Sequence, residues 1–234
     1  MSLHRRRTGR LSALTLAGLI SLTGCGNADS APVPTTQMHT RNDTGPVVTP
    51  LRAALVTAAD LPSAYKAFTP KVVDETPSAD RQSCYDMLQQ LEVKDTTVPG
   101  AQQVVADFEA DPQGAVELQH LIRSYPGQGA AQQYARAVST LGSCPTLKIT
   151  YANGSVIQET LTPGALPGIQ APSGVQTWTT AVEVNFGGGM VLHQVTVLMQ
   201  TRDRLAVLTF VNPDPISTSW ATQLSDTLAS RLAG

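Results

Sequence analysis

Apolar residues along this chain follow two different periods, and the change from one to the other marks out the elements. Arg81 to Leu91 reads as a helix with Leu88 and Leu91 facing inward and Cys84 on the same side. Gln128 to Leu141 places Ala131, Tyr134, Val138 and Leu141 at helical spacing. Ile216 to Leu232 repeats an apolar residue every fourth position, at Trp220, Leu224, Leu228 and Leu232. A shorter helix opens at Thr49-Pro50, a cap followed by proline, runs through Leu51, Leu55 and Val56, and ends near Asp60-Leu61-Pro62.

Between these segments the period drops to two. Ala101 to Ala110 alternates, with Val104, Ala106, Phe108 and Ala110 on one face, and Asp107, Glu109 and Asp111 on a face expected to meet solvent. A turn at Asp111-Pro112-Gln113-Gly114 returns the chain along Val116 to Tyr125 as a hairpin. A second hairpin joins Leu147–Tyr151 to Val156–Leu161 through Asn153-Gly154, a type I′ signal. After a Pro/Gly-rich loop, Thr162 to Gly174, three longer strands follow: Val175–Phe186, Met190–Gln200 and Arg204–Val211. Gly187-Gly188-Gly189 and Arg202-Asp203 connect them. Short connections require antiparallel pairing, so the expected class is α+β: a sheet of about five to seven strands, flanked by helices.

The first 49 residues fit neither period. Arg5, Arg6 and Arg7 precede a 12-residue apolar run, Leu11 to Leu22, which has the length of a signal-peptide core and is too short to span a bilayer. Leu22-Thr23-Gly24-Cys25 follows at once. This resembles the bacterial lipobox, with an apolar residue three before a cysteine and small residues between. The resemblance implies diacylglyceration of Cys25 and cleavage just before it, leaving residues 1–24 as the signal peptide. Two acyl chains on one cysteine anchor a protein stably. Arg6-Arg7 also reads as a degenerate twin-arginine signal, without the usual apolar pair behind it. Residues 25–49 are rich in Pro, Thr, Ser, Asn and Asp, which buries too little apolar area to offset ordering, so they are expected to act as a tether. His39 falls in it.

With Cys25 assigned to the lipid, Cys84 and Cys144 remain as a pair in an oxidising compartment, and a disulfide is expected between them. Free thiols and a metal site are the alternatives. The metal reading has only His120 and His193 as further soft donors, without a spacing motif.

Composition narrows the function classes further. The chain is 41% hydrophobic and 15% charged, and no run approaches 18 apolar residues. The formal charge of −2 hides an asymmetry: without Arg5, Arg6, Arg7 and Arg10, twelve basic side chains face eighteen acidic ones. That balance gives no footing for a nucleic-acid partner. Ser63-Ala64-Tyr65-Lys66 matches the S-x-x-K pattern of serine acyl-enzymes, yet the companion motifs are absent. The triple glycine lacks the lysine and helix of a phosphate loop. His120 and His193 read as ordinary strand residues. No cofactor is implied.

The domain from Pro50 to Gly234 resembles the PknH-type extracellular sensor domain family of actinobacterial lipoproteins and receptor kinases. The resemblance is carried by LVTAADLPSAY at Leu55–Tyr65, by SCYDMLQQL, by YARAVSTLGSC and by the terminal strands and helix. It implies an antiparallel sheet flanked by helices with a cleft, and a role in sensing or binding outside the membrane. The family commonly carries two disulfides; this chain can form one. The expected function is that of a membrane-anchored, non-catalytic lipoprotein on the outer face of the bacterial plasma membrane, binding a small-molecule, lipid or envelope ligand. A hydrophobic-ligand carrier and a cell-envelope hydrolase are the alternatives. An apolar cavity distinguishes the first, a clustered nucleophile, base and orienter the second.

Overall fold

Antiparallel pairing runs unbroken across the molecule. The computed structural model describes residues 48–70, 77–92, 99–110 and 116–234. In chain order the strands are β1 (Lys66–Ala67), β2 (Ser78–Ala79), β3 (Gln102–Glu109), β4 (Glu117–Ser124), β5 (Thr146–Thr150), β6 (Val156–Pro163), β7 (Gln176–Asn185), β8 (Val191–Gln200) and β9 (Arg204–Asn212). The helices are α1 (Val48–Ala53), α2 (Gln82–Glu92), α3 (Gly129–Gly142) and α4 (Thr218–Ala233), with a 3₁₀ turn at Ala58–Asp60. Among the described residues the nine strands form one sheet in the order β1-β3-β4-β9-β8-β7-β6-β5-β2. The class is α+β as expected, with more strands than the expected five to seven. The extra ones are β1 and β2, two-residue edge strands on Glu109–Phe108 and Thr150–Ile149, too short to carry a period.

Helices cover both faces. On one, Tyr85, Leu88 and Leu91 of α2 and Ala137 and Leu141 of α3 pack on Val105, Leu121, Leu198 and Val207. On the other, Leu51 of α1, Leu55 just past its end at Ala53 (short of the helix expected to continue through Val56), and Leu224, Leu228 and Leu232 of α4 pack on Val104, Ile122, Val197, Leu208 and Phe210. The central strands are therefore buried on both sides. This corrects the expectation of a solvated face on β3: Val105 is buried, and Asp107, only half-buried, accepts a 2.8 Å hydrogen bond from Gln119 Nε2. Asp111 lies outside the described residues.

One turn and one helix depart from or refine their signals. Gly154 N–H bonds the Tyr151 carbonyl and Gly154 has φ +82°, so Ala152 and Asn153 are the central residues. That is a three-residue loop with a left-handed glycine, in place of the type I′ turn expected from Asn153-Gly154. The α4 stripe is centred on Ala221, Leu224, Ser225, Leu228, Ala229 and Leu232, which leaves Trp220 at its rim.

Cys84 and Cys144 form the expected disulfide, with Cα atoms 6.2 Å apart, pinning α2 to the exit of α3 where β5 begins. Residues 1–47, including Leu22, Thr23, Gly24, Cys25 and most of the tether, lie outside the described residues.

Candidate functional site

The catalytic arrangements raised by the sequence are not assembled. Ser63 sits in an exposed turn, and Lys66 belongs to β1, where it pairs with Glu109. The S-x-x-K chemistry needs serine and lysine one helical turn apart. Gly187, Gly188 and Gly189 all take positive φ in a tight hairpin closed by Phe186 and Met190, so they connect β7 to β8. His193, half-buried on β8, stands opposite Glu183 on β7 and Asn212 on β9. His120 is buried between Ala106 and Leu208, on the α1/α4 face. Its Nδ1 accepts the Val56 N–H at 3.0 Å, which puts the ring proton on Nε2, and that nitrogen bonds to nothing among the described residues. Burial drives its pKa down to about 3; Arg231 lowers it further and Asp60 opposes. It is a neutral imidazole without a hydroxyl or carboxylate to work with. No group of three or more metal-ligating side chains occurs among the described residues.

The α2/α3 face holds a feature that neither period announced. The pairing register aligns Gln119, Thr209, Thr196 and Thr180 in one row across β4, β9, β8 and β7, all buried. Gln194, one residue pair along β8, donates its Nε2 to Thr196 Oγ1 at 3.1 Å. Gln119 spends its Nε2 on Asp107 and keeps an unbonded, buried Oε1. Further across the sheet, Glu159 on β6 is 0% exposed between Leu147 and Val184, and neither carboxylate oxygen has a hydrogen-bond partner. Desolvation raises its pKa to about 8.

Along the same face, at the far end of β8, the sheet opens into a groove of about 920 Å³. Three separate stretches line it: Gly127, Gln128 and Ala131 at the start of α3; Gly174, Val175 and Gln176 entering β7; and Gln200 and Arg202 leaving β8. Gln176 and Gln200 are direct cross-strand partners, so their side chains leave the sheet on one side. Backbone turns at Gly127 (φ +61°) and Gly174 (φ +87°) shape two of its walls. A second hollow, of about 250 Å³, is lined chiefly by apolar and aromatic side chains with Asn212 and Ser217 among them, and lies on the opposite face, where Trp220 packs edge-on against Phe210 and leans on Tyr65.

The chain resembles the extracellular domain of PknH. The solved structure of that domain, from Mycobacterium tuberculosis, superposes with a TM-score of 0.55 over 78% of this chain and 94% of its own, at 10% identity. At that identity the likeness is one of fold, and it bears out the antiparallel sheet with flanking helices implied by Leu55–Tyr65 and the cysteine-bearing segments. A Mycobacterium smegmatis protein, the Rv0999 ortholog, aligns over 75% of this chain and 93% of its own at 12% identity, with a TM-score of 0.41. No family model and no curated protein matches the sequence.

Sequence reasoning found neither the threonine–glutamine row nor the groove. The row depends on the register of four strands. The groove collects residues from three segments, none of which forms a motif by itself. The lone sequence signal was an excess of glutamine and threonine at strand positions where apolar residues were expected.

Proposed function

We propose that this chain is an extracytoplasmic, membrane-anchored lipoprotein whose folded domain binds a small ligand without transforming it. The observation that carries the reading is the character of the groove of about 920 Å³ at the start of α3. Its walls are amides, a guanidinium and small residues, and they bring no nucleophile, base and orienting group within reach of one another. The PknH extracellular domain is likewise a domain outside the membrane, which supports the same setting. The Leu22–Cys25 box supplies the anchor, through acylation of Cys25. A lipid carrier needs an apolar cavity of several hundred Å³, and the chiefly apolar hollow here is about 250 Å³, so the carrier reading has less support.

The test uses the full chain in detergent against fractions of a small-molecule envelope extract. A fraction that raises the melting temperature of the wild type, but not of Gln200→Leu or Arg202→Gln, is the expected result. Consumption of the ligand during the assay contradicts the proposal.

A further inference from the structure

The groove's lining specifies the chemistry of what it can hold. It contains no carboxylate to attract a cation, and Val175 is its one branched apolar side chain, too little to hold an acyl chain. Arg202 is exposed and has no hydrogen bond or ion pair among the described residues, so its planar fork of donors is available to a carboxylate or phosphate. Beside it begins α3, 14 residues long, with no acidic residue in its first turn and no side-chain bond from its N-cap Gln128. The first N–H groups of a helix lack intrahelical acceptors, and here only Gly129 is turned back, onto the Pro126 carbonyl at 3.1 Å. Ala131, which lines the groove, follows in that turn. The helix dipole adds partial positive charge at the same place.

A second feature, independent of the helix end, asks for more than an anion. Gln200 is only 7% exposed and lines the groove. Its Nε2 donates to the carbonyl of Thr201, and its Oε1 makes no hydrogen bond among the described residues. An amide oxygen without a protein donor is open to a hydroxyl or water in the groove. Gln176 beside it and Gln128 across from it each offer both a donor and an acceptor, the pairing that neighbouring hydroxyls of a sugar ring satisfy. The volume lies within the range of small-molecule sites, about 300–1,000 Å³.

Resting on the binding reading above, we propose that the groove takes an anionic, polyhydroxylated ligand of the sugar-acid class. Its acid group lies against Arg202 and the first turn of α3, and its hydroxyls are shared among Gln128, Gln176 and Gln200. Binding is non-covalent and no bond of the ligand is changed.

Isothermal titration of the full chain in detergent tests this with three probes: a tetrasaccharide of alternating glucuronate and N-acetylglucosamine, maltotetraose of the same length, and inorganic phosphate. The acidic tetrasaccharide saturates the wild type, and maltotetraose and phosphate each bind at least tenfold more weakly. Arg202→Gln removes the preference for the acidic sugar by weakening that probe alone. Gln200→Leu weakens both sugars, and Gln176→Ala, a change at an exposed position, does so to a smaller degree without disturbing the fold. Equal affinity for phosphate or for the neutral sugar overturns the inference, as does acidic-sugar binding that neither Arg202→Gln nor Gln200→Leu alters. If the chain retains some other small molecule in a Gln200-dependent way and ignores all three probes, this inference fails while the binding reading stands. If no ligand depends on Gln200 or Arg202, both fail.

Discussion

Arg231 holds Asp60 with two guanidinium nitrogens, Nη1 to Oδ2 at 2.8 Å and Nη2 to Oδ1 at 2.5 Å, across 171 residues of sequence. The same Asp60 Oδ2 accepts the Thr57 N–H and hydroxyl, each at 2.8 Å, and Arg231 Nη1 also reaches the Leu55 carbonyl at 3.3 Å. The last turn of α4 is thereby fastened to the segment leaving α1, beside buried His120. A carboxylate that closes a short turn also clamps the chain's final helix.

The Arg231 hydrogen bonds hold the Asp60 pKa at about 2, below its ordinary 3.8, against the opposing effect of burial. A depressed carboxylate stabilises the fold above the unfolded value and loses that contribution as pH falls from 3.8 toward 2. Asp60→Asn is expected to cost about 1 kcal/mol at neutral pH, allowing for screening of a pair that water reaches in part. The difference from wild type closes below pH 3 in urea titrations. A difference that persists unchanged at pH 2 rules out this assignment.

Glu159 gives the opposite sign. Its pKa is raised by desolvation from 4.5 to about 8, so the fold keeps the neutral acid while the unfolded chain ionises. The fold therefore loses stability as pH rises from 4.5, and the loss levels off above about 8. Glu159→Gln removes this slope: it matches wild type near pH 4 and exceeds it by a few kcal/mol at pH 9, as an order of magnitude. Denaturant midpoints at the two pH values check it. Equal pH slopes for both proteins contradict it.

The disulfide closes 60 residues of sequence, worth about 2–4 kcal/mol through restriction of the unfolded chain. Calorimetry with and without reductant, alongside the Cys84→Ser/Cys144→Ser double variant, should show that loss in both. Peptide mapping without reductant should recover one cross-linked pair.

The fold was legible where one period governs one face. Leu88 and Leu91, Leu224 and Leu228, and the alternation of Val104, Ala106 and Phe108 all lie where their spacing puts them, because each packs against a single layer. Reading was incomplete where two layers share a strand: Asp107 and Glu109 marked a solvent-facing side of β3 and stay half-buried, yet Val105 on that same side is buried in the cluster formed with α2 and α3. β1 and β2 were illegible because two residues hold no period. For Asn153-Gly154 the dipeptide marks the turn, but the Tyr151–Gly154 bond decides its type, and that depends on the register of β5 with β6. The groove was beyond reach for a related reason: Gln176 and Gln200 become neighbours only through the β7–β8 pairing.

Acylation at Cys25 makes its own prediction. The wild type is expected to take up a fatty-acid analogue and to fractionate with membranes, and Cys25→Ala is expected to do neither. Labelling of the variant equal to wild type removes the anchor from the account.

The central claim is that the domain binds and does not catalyse, and native mass spectrometry of the full chain, purified in detergent from its own envelope, tests it most directly. The account predicts an adduct of one intact small molecule on the wild type, chemically unchanged after incubation and absent from Gln200→Leu and Arg202→Gln. Conversion of that molecule to a product, abolished by Ser63→Ala, His120→Ala or His193→Ala in a protein that still folds, would contradict it.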